Sequence, residues 1–319
     1  MSAVIGTGRP AITVVGSLNM DLVIQVPHLP ETGETVPGGT FATFPGGKGA
    51  NQAVAAARLG AAVTMIGRVG ADAFGRKLRD GLAAEGIDAS HVGMDVEAAT
   101  GVALITVDRA GRNTIVVASG ANRRVTAADV DAAGAVMTSS QVVLLQLELP
   151  LEVVGHAVQM AHAAGCRVIL DPAPAPPASL PDDLYRYLSV INPNEVEAHA
   201  LTGIPISDES DARRAAERLL DQGCRAVVIK LGDRGAYAAT DGTRAVIPAI
   251  SVDVVDTTAA GDAFAAGMAV ALAEGRDLAD AARFANVVGA ISVTRMGAQP
   301  SMPTRAEVEE FVKARRLSL

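Results

Sequence analysis

The chain reads as an α/β protein: a doubly wound, mostly parallel sheet flanked by helices, with a small β-sheet lid. Three observations predict this. Short apolar runs of strand length alternate with helical patterns along most of the 319 residues, the signature of a parallel sheet with crossover helices. Two stretches, about 22–46 and 101–118, break the alternation and read as exposed strands. Polar residues gather just past the ends of the apolar runs, where open α/β sheets bind ligands. The expected organisation is a single domain over 1–319 with the two lid segments inserted in it.

Taken in order, residues 12–18 form the first buried strand, closed by the polar pair Asn19 and Asp21. From 27 to 47 Pro, Gly and Thr dominate, with short alternating pieces such as Thr40 to Phe44. Residues 50–59 read as a helix closed by Gly60, 63–66 as a strand, and 73–85 as a helix closed by Gly86. Residues 102–107 and 114–117 flank the turn sequence DRAGRN, a hairpin signal. A helix over 126–137 precedes the strand 142–147, which ends at Glu148. After a helix at 151–164, the strand 168–170 ends at Asp171, and the strand 189–191 ends at Asn192 and Asn194. Helices at 195–201 and 208–220 lead to the strand 226–230, which ends at Gly232. Residues 250–255 read as a strand-like approach to the sequence DTTAAGD at 256–262, and 264–273 as a helix leaving it. Phe264, Met268 and Leu272 then share one helix face.

Composition narrows the functions. A net charge of −8 opposes sequence-independent nucleic-acid binding. With three Tyr, six Phe and no Trp, an aromatic stacking platform for bases is not expected. No apolar run approaches the roughly 20 residues that span a bilayer. Residues 1–10 carry Arg9 as their one charge and no extended apolar stretch, so no secretory signal is expected. Cys166 and Cys224 read as buried free thiols of a reducing, cytoplasmic compartment. The five His residues show no ligand spacing, and no Ser-His-Asp or Cys-His constellation emerges.

Four pieces carry chemistry. The stretch 256–262 turns on small residues into an apolar helix, so Ala259, Ala260 and Gly261 offer a helix-start cradle for an anion. Asp262 at its mouth is either a helix cap or a proton acceptor. The stretch 45–51, PGGKGAN, is not a phosphate-binding P-loop, because Ala42 and Gly49 stand where that pattern needs glycine and Ser or Thr. Its glycines would let backbone approach a ligand, with Lys48 and Asn51 as donors to hydroxyls; a turn with Asn51 as cap is the alternative. Asn19, Asp21 and Glu148 could bind sugar hydroxyls or be ordinary strand-end polar groups. Asn194 and Glu197, three apart at a helix start, could hold a hydrated metal bridging phosphates, or Asn194 could cap the helix. Lys230 to Gly235 is a glycine turn across which a nucleotide could lie.

The order of these motifs, from GSLNMD at 16–21 to GAQPS at 297–301, resembles the ribokinase group within the phosphofructokinase-B family of carbohydrate kinases. The resemblance spans nearly the whole chain, and its two signatures, GGKGAN at 46–51 and DTTAAGD at 256–262, are specific. It implies ATP-dependent phosphorylation of D-ribose at O5. Asn19, Asp21, Gly47, Lys48, Asn51 and Glu148 would hold the sugar. Asp262 would take the hydroxyl proton, and Ala259, Ala260 and Gly261 would form the anion hole. Asn194, Glu197, Lys230, Leu231, Gly232, Asp233, Arg234, Gly235 and Asn286 would serve ATP and Mg2+. Asp256, Thr258, Ser292, Arg295, Gly297 and Ser301 match positions around a monovalent cation, usually K+. The lid would also form the contact of a homodimer. Lys230 stands where Thr is frequent, Asn286 where His is often found and Met20 where Ala is also seen. Alternatives are a kinase for another pentose or a nucleoside, with Phe41 and Phe44 as a base-binding wall, or a catalytically silent sugar sensor.

Overall fold

The computed structural model describes residues 8–177 and 179–318; most of the 1–10 stretch read above for a signal lies outside them. Among the described residues, nine strands form one sheet. They are β1 (Ala11–Val15), β4 (Ala62–Gly70), β5 (Val92–Asp95), β8 (Val142–Leu145), β9 (Arg167–Leu170), β10 (Val190–Ile191), β11 (Ala226–Lys230), β12 (Ala236–Thr240) and β13 (Arg244–Ile247). Their order is β13-β12-β11-β10-β9-β8-β1-β4-β5. All neighbours are parallel except β11-β12 and β12-β13, which form an antiparallel edge.

A second sheet holds β2 (Asn19–Gln25), β3 (Phe41–Gly46), β6 (Gly101–Val107) and β7 (Asn113–Ala118), in the order β3-β2-β6-β7. Its hairpin β6-β7 turns at the sequence that signalled it. The first lid strand begins earlier than the sequence suggested, at Asn19 rather than near residue 22.

Helices cover both faces of the large sheet. In chain order they are α1 (Lys48–Arg58), α2 (Ala73–Ala84), α3 (Ala127–Ala132), α4 (Gly134–Thr138), α5 (Leu151–Ala163), α6 (Asp182–Tyr185), α7 (Glu195–Thr202), α8 (Glu209–Asp221), α9 (Ala260–Ala273), α10 (Leu278–Ser292) and α11 (Arg305–Arg315). Strand alternation divides the core in two. Ile12 and Val14 of β1 pack with α1, α9 and α10, while Val15 packs with α3 and α5 on the other face. The central strands are apolar on both faces, as parallel strands between two helix layers must be.

Three expectations are corrected. The helix over 126–137 divides at Ala133, where α3 ends and α4 begins with Gly134. Residues 250–255 are irregular rather than a strand. β13 already forms the sheet edge, and Pro248, which has no N–H to give a ladder, leads the chain away from it. Helix α9 is buried from Asp262 to Ala273 instead of along one apolar stripe. Its alanines and glycines allow that: a Cβ on Gly267 would lie 3.1 Å from Cα of Ala285 in α10.

Candidate active site

The cleft lies beyond the carboxyl ends of β1 and β8–β11 and is roofed by β2, β6 and β7, enclosing about 1020 Å³. Asp262 lies in its wall on the first turn of α9. The capping alternative fails, because the N-cap is Ala259, held left-handed at φ 59°. An L-residue other than Asn or Asp adopts that conformation at a cost. Asp262 is 4% exposed. Its carboxylate accepts hydrogen bonds from Nδ2 of Asn51 (2.9 Å) and Nε2 of Gln52 (3.0 Å). Burial pushes its pKa up against the pull of Lys48 and the two amides, and Asp171 adds to the rise. A carboxylate raised in this way is a better proton acceptor near neutral pH.

Glycines set this geometry. Gly47 is the N-cap of α1 at φ 90°, so Asn51 lies in the helix body and the reading of it as a cap fails. A Cβ on Gly47 would meet Asn19 N at 2.7 Å, and one on Gly49 would meet the Gly16 carbonyl carbon at 2.6 Å. Only glycine lets the start of α1 press against the β1–β2 junction. Asn51 and Gln52 follow it and both reach Asp262.

At one end of the cleft, Asn19 and Asp21 are two apart on β2 and so share a face. Asn19 Oδ1 accepts from Nδ2 of Asn122 (2.8 Å), which also donates to the Leu18 carbonyl (3.1 Å). Glu148 accepts from the Ser17 hydroxyl and from Lys48 N–H (3.2 Å). Asn51 Oδ1 is buried with no protein partner, which suits an incoming hydroxyl. Phe41 is 60% exposed, and the apolar lining comes instead from residues such as Ile105, Ile115, Ile250 and Val254.

Burial raises the Asp21 pKa from 3.8 to about 7, helped by the negative charges of Glu148 and Asp262. The folded chain therefore keeps a proton between those values that the unfolded chain loses. On this carboxylate's account, stability falls as pH rises from about 4 through about 7 and then levels. Asp21→Asn is expected to flatten that decline, so that its urea midpoint exceeds the wild-type value at pH 8 but not at pH 5. Parallel pH profiles of the two proteins would contradict the assignment.

At the other end, Asn194 caps α7 in a capping box: its Oδ1 accepts from Glu197 N–H (2.8 Å), and its own N–H donates to Glu197 Oε2 (2.7 Å). Both still line the cleft. Lys230 Nζ donates to Asp171 Oδ1 (2.6 Å). Gly232, Asp233 and Gly235 line the cleft, while Leu231 is buried in the core and Arg234 pairs with Glu195. Gly235 needs its φ of 90°, since a Cβ there would meet the Ile247 carbonyl. Asn286 faces the same end and donates to the Pro248 carbonyl (2.8 Å).

Behind the turn into α9, Asp256 Oδ1 accepts from the Thr258 hydroxyl (2.7 Å) and Oδ2 from Gly297 N–H (2.8 Å). The side chains of Ser292, Arg295 and Ser301 bond elsewhere, to the Gly289 carbonyl, Glu307 and the Ala298 carbonyl. That leaves backbone carbonyls for a cation, of which the Ser292 carbonyl already accepts from Arg295 N–H (3.2 Å). One carboxylate with carbonyls fits a singly charged ion better than a divalent one. Among the described residues no cluster of three or more His, Cys, Asp or Glu can hold a metal. A magnesium that keeps several waters and takes phosphate oxygens fits Glu197 without such a cage.

Sequence reasoning missed four residues here: Ser17, Gln52, Asn122 and Asp171. Asp171 carried a signal, as a polar strand end. Gln52 has one only in hindsight, one residue past the glycine motif. Asn122 is legible only once the segment after β7 meets the start of β2, and Ser17 only once Glu148 is brought to it.

The profile of the pfkB family carbohydrate kinase matches residues 9–305. The chain belongs to that family. A pfkB relative from Haemophilus influenzae, named ribokinase, is 43% identical over 305 residues, 96% of this chain and 99% of the relative. A deoxyribokinase of Salmonella typhi is 36% identical over 301 residues, 94% of this chain and 98% of the relative. Among solved structures, Arabidopsis thaliana ribokinase complexed with ribose and ATP superposes with a TM-score of 0.88 at 32% identity, covering 96% of this chain and 99% of that one. A pfkB kinase must bring two substrates to one cleft, and Asp262 stands between its two polar ends.

Proposed function

We propose that this chain transfers the γ-phosphoryl group of ATP to the 5-hydroxyl of D-ribose. The observation that carries this is Asp262: a buried carboxylate of raised pKa, fixed by two amides at the mouth of a helix start. The ribokinases of similar sequence and fold support the substrate pair. Asn19, Asp21, Lys48, Asn51 and Glu148 bind the sugar hydroxyls and aim O5 at the phosphorus. Asp262 accepts the O5 proton as the new O–P bond forms, and ADP leaves with the electrons of the broken bond. The amides of Ala259 and Gly261 face the charge on the transferred group. The Ala260 amide, which donates to the Thr257 carbonyl at 3.2 Å, joins by exchanging that partner. Phosphoryl transfer depends on this positioning and charge stabilisation more than on covalent chemistry.

In this reading Asn194, Lys230, Gly232, Asp233, Gly235 and Asn286 line the nucleotide end, and Asn194 with Glu197 positions hydrated magnesium. That ion neutralises phosphate charge when bound. Asp256 and the carbonyls of 292–301 hold potassium, and Thr258 keeps the Asp256 carboxylate in place. The whole chain acts as one domain whose small sheet is a lid, and lid faces pair in a homodimer. The exposed Leu104 and Val116, cross-strand partners on one face of the small sheet, support that contact. Two buried free cysteines suit a cytoplasmic setting, and no helix of the described residues is long and apolar enough to cross a membrane.

The test is ADP release over ribose, deoxyribose, fructose and adenosine, each with potassium and with sodium. Ribose with potassium is expected to give the highest kcat/KM. A higher value with deoxyribose, which the Salmonella relative's name raises, would move the assignment to that sugar. Sugar-induced stabilisation without ADP release would mark a sensor.

A further inference from the structure

The cleft is rich in acid. Asp21, Glu148, Asp171, Glu197 and Asp262 line it, and Lys48 and Lys230 are the cationic side chains among its described lining residues. Lys48 starts α1 beside Glu148, at the sugar end. Lys230 ends β11 at the nucleotide end with its side chain 12% exposed. Its Nζ is 2.6 Å from Asp171 Oδ1 and 4.0 Å from Glu197 Oε2. A Cβ built on Gly261 would lie 3.5 Å from the same nitrogen. The ammonium therefore stands beside the turn that would receive the transferred phosphoryl group.

We propose that Lys230 is a catalytic cation whose ammonium moves from Asp171 to a non-bridging γ-phosphoryl oxygen during transfer. The inference rests on the kinase reading above and adds a residue to it. Lysine suits the move, being a compact charge on a flexible stem with three donors. Asp171 suits it as the resting partner, because it is not left bare. Its Oδ2 keeps the hydrogen bond from Gln52 Nε2 (2.9 Å), and Oδ1 lies 3.5 Å from Asn192 Nδ2. Gln52 spans to Asp262 with the same nitrogen and accepts from Gln146 Nε2 (2.6 Å), so resting place and base share one rigid amide. In the step, O5 bonds to the γ-phosphorus, the bond to the β,γ-bridging oxygen breaks, and its electron pair leaves on ADP. The O5 proton goes to Asp262. Lys230 gives and takes no proton, and no further reactant is needed.

The alternative role for Lys230 is to neutralise Asp171. The test measures kcat and KM for wild type, Lys230→Met, Asp171→Asn and the double variant, on each sugar of the panel above. Loss of one preorganised charge-stabilising donor predicts a kcat about 10²-fold lower for Lys230→Met, with the sugar KM nearly unchanged. Asp171→Asn in that background is expected not to restore it. Recovery of the double variant to within about threefold of Asp171→Asn alone would show that the lysine only neutralises the aspartate. Lys230→Met within about threefold of wild type would overturn the proposal outright. Should the methionine variant fail to fold by thermal melting, Lys230→Leu is read by the same criteria. A sugar other than ribose giving the turnover would revise the substrate while leaving the Lys230 ratio readable on that sugar.

Discussion

Asp262→Asn is expected to lower kcat about 10³-fold, within the range a general base supplies, while the protein still folds and is still stabilised by ribose. The amide matches the carboxylate in shape but cannot accept the O5 proton. Packing should survive because Asn51 can adapt. Its Oδ1 is buried without a protein partner, so a flip of that amide would offer an acceptor to the N–H that the substitution introduces. The measurement is kcat at saturating ATP and ribose beside the ribose-induced shift in Tm. Turnover within tenfold of wild type would remove Asp262 from the role of base. Loss of the Tm shift along with turnover would mean that the carboxylate chiefly binds sugar.

Gly47→Ala is expected to be a strongly damaging small change, and for a reason unrelated to chemistry. At φ 90° and ψ 129° the residue sits where an L-side chain is strained, at about 1–3 kcal/mol. The added Cβ would also press on backbone at Leu18 and Asn19, with contacts of 2.9 and 2.7 Å. Such crowding costs about 1–3 kcal/mol more. Together a loss of roughly 4 kcal/mol is expected from urea unfolding, with a raised ribose KM in whatever remains folded. A loss below about 1 kcal/mol would show that the β1–β2 junction yields more easily than its backbone contacts imply.

Much of this architecture is legible in the sequence because parallel strands buried on both faces leave continuous apolar runs, as at 142–145 and 226–229. Glu148 and Asp171 follow from the same pattern, since chain leaving a parallel strand turns polar as it enters the cleft. The antiparallel hairpin β12-β13 leaves a weaker trace: Ala236–Thr240 is alanine-rich, with Thr240 at its end as its one β-branched residue. Residues 250–255 give the opposite error. Their valines look like a strand, but after Pro248 they leave the outer edge of β13 unpaired and wall the cleft instead. Gln52 escapes for a third reason. A glutamine inside a helix is unremarkable until the fold brings Asp171, over a hundred residues away, to its other side.

β2 is both the strand that bears Asn19 and Asp21 and an inner strand of the small sheet, bonded to β3 and β6. Seven residues at about 3.3 Å each make a rigid arm of roughly 23 Å. A tilt of about 5° where the sugar hydroxyls would engage its root would swing the far end at Gln25 by about 2 Å. A sugar held at Asn19 and Asp21 would thus act on the short side of a lever whose long side is the roof.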